Sequence, residues 1–465
     1  MSPAVPDYAF AEKASACPDP TVSVHSRIDP YWAELWASGA SASWVSEALA
    51  RQQADAGIGR MPARLNIPED RAWSRLLSRT AITRTLNVMG VLDSWRTVTG
   101  EQLAAITGES AVAGGQSTSM PELFAAGLVD NGIFTNGLMH TRNTERGTLY
   151  RPSRNSNFDQ KLAPRLTYPE WVSVTGGHPF ESGGQFDRHN VLATELGLRV
   201  AEWCEIGAVV GEKLSTFELL AHSGLGLPEA IGARRAADAT LIRTDGARIA
   251  VEMTASTGPN FEAKVQRWAT LLSNRRMDDS GLAVVFVVAP RSDKSVKKGE
   301  YLTAVRKQIA AAARDNPGVS FDRTASRMFV VDWRDWFPAP GRVSQPFFAL
   351  EASRPTGPND TLWEQASILD PFDVPFTPKD PEGALAVLDN LAMIRSVPHW
   401  LRTRHAPELW PSSIREIGFN TIPVAEPGRP SQTVGLRLGA ASGSAQQTRP
   451  PRRLQVQPGR NPKRL

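Results

Sequence analysis

Cysteine is nearly absent from this chain. Cys17 and Cys204 are the only two in 465 residues, too few for a disulfide scaffold or a cysteine-based zinc site. A reducing cytoplasm is the expected setting. Long apolar runs are missing too. The longest, Leu282 to Pro290, falls well short of the roughly 20 residues that cross a bilayer, so no membrane partner is expected. The N-terminal residues show no basic region followed by an apolar one, which argues against a signal peptide. Several catalytic signatures are also lacking: Gly-x-x-x-x-Gly-Lys-Ser/Thr, Gly-x-Ser-x-Gly, His-x-x-x-His, and Gly-x-Gly-x-x-Gly after a strand. Nucleotide hydrolysis by a P-loop, serine hydrolysis, zinc hydrolysis and dinucleotide binding therefore have no support.

What is present suits a globular protein of more than one domain. The chain is 41% hydrophobic and carries 35 prolines and 36 glycines, which implies long irregular stretches. Its net charge of +4 hides an uneven distribution. Residues 427–465 hold eight basic side chains, Arg452 and Arg453 among them, and no acidic one; setting those eight aside turns +4 into −4 for residues 1–426. A tail so rich in Pro, Gly, Ser and Gln cannot bury a core and is expected to be disordered. It suits salt-dependent, sequence-blind contact with a nucleic-acid backbone, or equally a solubilising or partner-docking terminus.

Five regions follow from the pattern. Residues 1–70 read as an arm bearing a helix from Tyr31 to Arg51, with Trp32, Trp36 and Trp44 at roughly helical spacing. Residues 71–155 read as three helices and a hairpin. Thr99-Gly-Glu-Gln102 has the form of a capping box, a third helix runs from about Gln116 to Ala126, and Leu128–Gly132 with Thr148–Tyr150 makes a wing. This resembles a winged helix-turn-helix, with DNA as the expected partner and dimerisation or docking as the alternative use. Gln116, Ser117 and Thr118 on the presumed recognition helix, and Arg142, Arg146, Arg151 and Arg154 around the wing, are the candidate DNA contacts. Residues 156–185 read as a linker opening the third region, 156–340, which from about 186 alternates helix and strand as an α/β domain with a mixed sheet. Residues 341–426, with Trp363, Trp400 and Trp410, read as a wrap over that domain, and residues 427–465 are the tail. The two tryptophan-rich segments are candidate surfaces for a homodimer or for partner proteins.

The chemistry concentrates between Asp238 and Lys264. A hairpin closed by Thr244-Asp245-Gly246 would pair Arg243 with Ala247, and so set Asp238 opposite Glu252 on one sheet face. Thr254 falls on the same face, while Ile249, Val251 and Met253 point the other way. A two-residue turn would instead send the carboxylates to opposite faces. Lys264 follows on a helix, inside the apolar arc of Phe261, Val265, Trp268, Leu271 and Leu272, where it must snorkel to water or find an acidic partner. Upstream, Glu195 reads either as an (i, i+4) salt bridge with Arg199 or as a third carboxylate for a metal. His189, beside Asn190 at a helix start, reads as a cap or core histidine. The bland alternative for Asp238 and Glu252 is a pair of polar residues on a solvated hairpin.

Helix with Glu195, strand, Asp238, hairpin, Glu252-x-Thr254, helix and strand together resemble the PD-(D/E)XK, restriction-endonuclease-like fold. More narrowly, Arg188-His-Asn-Val-Leu-Ala-Thr-Glu195, Arg234-Arg-Ala-Ala-Asp238 and Val251-Glu252 look like the replication-relaxation proteins of actinobacterial mobile elements. The resemblance implies a winged helix plus a nuclease-like domain, with Mg²⁺ held by Asp238 and Glu252 and assisted by Glu195. Thr254 stands where that pattern has lysine, so Lys264 is expected to supply the cation from its helix. Metal-dependent phosphodiester hydrolysis and a catalytically inactive DNA-binding or scaffold role are the two functions implied.

Overall fold

The computed structural model describes residues 27–33, 41–113, 119–135, 148–155, 157–183, 186–215, 237–290, 300–340, 342–357 and 359–405. Gln116, Ser117, Thr118, Arg142, Arg146, Trp36, Trp410 and the basic tail with Arg452 and Arg453 lie outside them.

The N-terminal part builds a small antiparallel sheet covered by helices. Strand β1 (Ser41–Val45) leads into α1 (Glu47–Asp55), α2 (Glu69–Leu76) and α3 (Ile82–Trp95); β2 (Val98–Thr99), α4 (Gly100–Thr107), α5 (Ser119–Ala125), β3 (Val129–Thr135) and β4 (Thr148–Pro152) follow. The sheet order is β1-β3-β4-β2. Helix α4 begins where the sequence marks it. The Thr99 hydroxyl accepts the Gln102 N–H and the Gln102 side chain accepts the Thr99 N–H, each at 3.1 Å, and Gly108 closes the helix at φ 75°.

One expectation fails here. The run Tyr31–Arg51 is not one helix, because Ser41–Val45 is a strand paired with β3 and the helix starts only after the Ser46 cap. Trp44 lies opposite Gly132, where an added Cβ would sit 2.6 Å from the indole, and Arg151 stacks on the ring at 4.1 Å. The bare glycine admits the tryptophan across the sheet, a long-range fit that helical spacing along the chain cannot reveal.

The expected linker at 156–185 also proves to be structured. Helix α6 (Tyr168–Thr175) is opened by a second capping box, Thr167 with Glu170, and buries Trp171, Val172 and Val174. Then come α7 (Asp187–Trp203), β5 (Ala208–Gly211), β6 (Ala239–Ile242), β7 (Arg248–Thr254), α8 (Pro259–Asn274), β8 (Leu282–Val288), α9 (Glu300–Asp315), the small hairpin β9 (Gly318–Val319) and β10 (Asp322–Arg323), and β11 (Met328–Asp332). Residues 341–405 do more than wrap this layer. Strands β12 (Glu351–Thr356) and β13 (Leu362–Ser367) extend the sheet, and α10 (Pro381–Ala392) and α11 (His399–His405) follow.

The large sheet has the order β13-β12-β11-β8-β7-β6-β5; β7, β8 and β11 run parallel and the outer strands antiparallel. Strand β8 is apolar at every position because it is central and covered on both faces. Its pleat divides the core. Leu282, Val284, Phe286 and Val288 join Phe261, Val265 and Trp268 of α8 and Val305 and Ile309 of α9 on one face. Ala283, Val285 and Val287 join Ile249, Val251 and Met253 on the other, together with Val191, Leu192 and Leu196 of α7. That second core is continuous from Tyr31 to Leu401, so the regions expected as separate domains share one interior. Trp95 donates to the Ser396 carbonyl at 2.9 Å, and Arg395 reaches Asn87 and Ser173, tying the two ends together. Among the described residues, no helix is long and apolar enough to cross a membrane.

Candidate functional site

The β6–β7 hairpin has the register that brings the two acids together. The Arg243 N–H donates to the Ala247 carbonyl and the Gly246 N–H to the Arg243 carbonyl, each at 2.9 Å, giving a three-residue loop. Gly246 takes φ 87°, in the left-handed region, and Asp245 accepts the Ala247 N–H at 3.0 Å. Ala239 therefore faces Val251, and Asp238, just before the strand, donates its N–H to the Val251 carbonyl at 2.9 Å, with its carboxylate near enough to Glu252 to feel its charge. The Asp238 carboxylate accepts the Met253 N–H at 2.6 Å, filling the ladder position that β6 no longer supplies. Thr254 is buried on the same side as Glu252, two residues on.

Helix α8 covers this face and completes the pocket. Lys264 Nζ lies 2.6 Å from Glu252 Oε2, and Trp268 Nε1, one turn further, lies 2.7 Å from Glu252 Oε1. Glu252 is only 1% exposed. Burial pushes its carboxyl up to about 7, with Lys264 pulling it back and Asp238 adding to the rise. Burial also pulls the Lys264 ammonium down, but Glu252 and Asp238 outweigh that and hold it above the ordinary lysine range. Both Glu252 oxygens accept N–H bonds, so the ionised pair is the form this geometry holds.

Three residues at this pocket carry no role in the sequence reading beyond cap, core or apolar arc. His189 at the start of α7 is close enough to Asp238, Lys264 and Glu212 to feel their charges; burial lowers its ring from the usual value, and the two acids pull the other way. The Asn190 side chain donates to Glu212 at 2.7 Å, holding that carboxylate where His189 feels its charge. Trp268 donates to Glu252 as described. The spacing of Trp268 one turn after Lys264 is the signal that was available; the His189 and Glu212 positions have none, since the segment 216–236 separates them from Asp238.

Glu195 is elsewhere. It sits on α7, which packs on the opposite face of the sheet, and is fully buried in an ionic cluster. Arg27 donates to its two oxygens at 3.2 Å each, Arg199 at 3.0 Å and Gln102 at 3.2 Å. The (i, i+4) pair with Arg199 is therefore present, and the third-carboxylate position is not formed. Arg27 also holds Glu202 at 2.5 and 3.0 Å, and Arg199 holds Asp29 at 2.8 Å. Burial would raise Glu195, yet Arg27 and Arg199 bring it down to about 2.

The donor set does not fit a resident Mg²⁺. Such an ion needs several oxygen ligands in octahedral array. Here one carboxylate spends both oxygens on protein donors, another caps a strand, and the third lies on the far face. Among the described residues no three His, Cys, Asp or Glu side chains converge as a metal cage.

Of the expected DNA contacts that are described, Arg154 is exposed. Arg151 is engaged within the fold by Asp130 at 3.2 Å and by the Trp44 ring. The tryptophans expected at partner surfaces are also used internally: Trp32 donates to the Phe337 carbonyl at 3.2 Å, Trp400 to the Ala201 carbonyl at 3.3 Å, and Trp363 carries Arg306 at 5.2 Å. No family model, curated protein or solved structure matches this chain.

Proposed function

We propose that this chain is a DNA-engaging protein of the replication-relaxation type, acting as a non-cleaving scaffold. In this reading the helices and hairpin of residues 71–155 serve as a winged helix that positions DNA, and the mixed sheet serves as a nuclease-like body without a working metal centre. The order helix, strand, hairpin, helix, strand, with Asp238 near Glu252, supports the nuclease-like assignment. The order helix, helix, strand, helix, helix, hairpin supports the winged helix. The observation that carries the scaffold role is the closure of Glu252 by Lys264 and Trp268.

The expected behaviour is retardation of duplex DNA in a gel with a chelator present, falling steeply with salt as phosphate contacts do. Binding should weaken on replacing Arg142, Arg146 and Arg154 together, or on deleting residues 427–465. Unchanged binding after both changes, or no binding at any salt, refutes the DNA role. A second reading, metal-dependent phosphodiester hydrolysis, is favoured by the nearness of Asp238 and Glu252 alone. It requires Lys264 and Trp268 to release Glu252, and predicts cleavage that Asp238→Ala abolishes.

A further inference from the structure

The third helix of the expected winged helix has no outer face among the described residues. All seven residues of α5, Ser119–Ala125, are buried. Helix α2 packs on it, and Arg75 closes the contact by pairing with Glu122 at 3.0 Å. The surface that α2 presents instead is cationic. Ala72, Trp73 and Leu76 turn inward, so helical spacing puts Arg71 and Ser74 on the opposite side, and both are exposed. Arg79, in the turn before α3, is exposed as well. Neither Arg71 nor Arg79 has an ion pair or side-chain hydrogen bond among the described residues. Along the helix's flank, Lys161 pairs with Glu69 and Arg165 lies over the Trp73 ring at 5.6 Å.

Charge segregates here more sharply than in the chain around it. Residues 51–84 hold seven arginines against Asp55, Glu69 and Asp70, a net +4, whereas residues 1–426 together carry −4. Exposed cations left unpaired by the fold, in an otherwise acidic body, are complementary to a polyanion. Arginine forks match phosphate oxygens, and α2 has no Asn or Gln with which to read an adenine edge.

We propose that the outer face of α2, through Arg71 and Arg79, holds the duplex DNA backbone in place of the buried α5. The inference deepens the DNA reading and rests on it. The contact is to phosphates, so it positions the duplex without reading its sequence.

The test measures retardation of duplex DNA by the full chain across a salt series, for wild type and for Arg71→Gln combined with Arg79→Gln. Each lost phosphate contact should reduce the slope of log affinity against log salt by about 0.9, so the double variant should lose about 1.8. Arg79→Gln alone, in a turn, should lose about 0.9 and serves if the double variant does not fold. Arg71→Lys with Arg79→Lys keeps both charges and should keep the slope. Removing the same charge from the sheet body, with Arg267→Gln and Arg314→Gln on the exposed sides of α8 and α9, should leave it unchanged. The proposal is overturned if the α2 variants keep the wild-type slope, or if the body variants lower it equally. A wild type that binds no DNA removes the DNA reading and this face with it, whereas an unchanged slope removes this face alone. Anionic lipid vesicles bound through Arg71 and Arg79, with no effect of those residues on DNA, would assign the face to a membrane and also overturn it.

Discussion

Replacing Arg27 with methionine should destabilise the protein in a way that depends on pH. Arg27 belongs to the short segment 27–33 and is separated from Glu195 and Glu202 by 168 and 175 residues, yet all three side chains are at most 1% exposed. Glu195 keeps Arg199 and Gln102 when Arg27 is lost, whereas the hydrogen bonds to Glu202 come from Arg27. Burial already raises Glu202 from its ordinary value of 4.5 even with the guanidinium in place. Without it, the cheapest escape is protonation. At pH 7 that costs about 3.5 kcal/mol, from 2.5 pH units at about 1.4 kcal/mol each, and at pH 5 only about 0.7 kcal/mol. The sign agrees with linkage: a carboxyl raised in the folded state contributes stability at low pH that is lost as pH rises. Urea unfolding of Arg27→Met at pH 7 and pH 5 should therefore show a loss of about 3 kcal/mol shrinking to about 1. Adding Glu202→Gln should remove most of the pH dependence. A loss below about 1 kcal/mol at pH 7, or one independent of pH, would refute the clamp.

Three further outcomes follow from particular contacts. Arg248 is wholly buried, donates once to the Ser280 carbonyl at 2.8 Å, and leaves Nε and Nη2 without hydrogen-bond partners, while burial pulls its guanidinium down to about 10. Arg248→Met should lose no more than about 1 kcal/mol in urea unfolding, and a loss above about 3 kcal/mol would show hidden pairing. Glu195, held down to about 2, contributes stability above its ordinary 4.5 that disappears as pH falls from 4.5 toward 2. Acid titration followed by circular dichroism should show that limb, worth up to about 3 kcal/mol, and Glu195→Gln should flatten it. Gly132→Ala should push the Trp44 ring off β3 and cost about 1–3 kcal/mol, with altered tryptophan fluorescence; an unchanged thermal midpoint would contradict the cross-strand fit.

The parts of the fold that were legible in the sequence are those written in local spacing. The Thr244-Asp245-Gly246 segment admitted two registers by counting residues, and the three-residue loop that forms is the one that brings Asp238 near Glu252. A lysine inside an apolar arc must either snorkel or pair, and Lys264 pairs with Glu252. Strands β7 and β8 lie in the region expected to alternate helix and strand, and both are buried along their whole length. What escaped is written across long separations. Trp44 pairs with a glycine 88 positions away, a strand contact that regular tryptophan spacing disguised as a helix. The strands β12 and β13 were hidden among prolines, and α6 was passed over as linker although Thr167 and Glu170 carry the same capping box as Thr99 and Gln102. Glu195 admitted two readings because Arg199 is near in sequence. Its other partner, Arg27, decides the matter and leaves no periodic trace.

Plasmid DNA incubated with purified protein and either Mg²⁺ or Mn²⁺ puts the closed state of Glu252 to its plainest trial. Supercoiled substrate should stay uncut at every metal concentration, identically for wild type and Asp238→Ala. Nicking or linearisation by wild type that vanishes in Asp238→Ala would mean that the lysine lets go and the pocket performs chemistry.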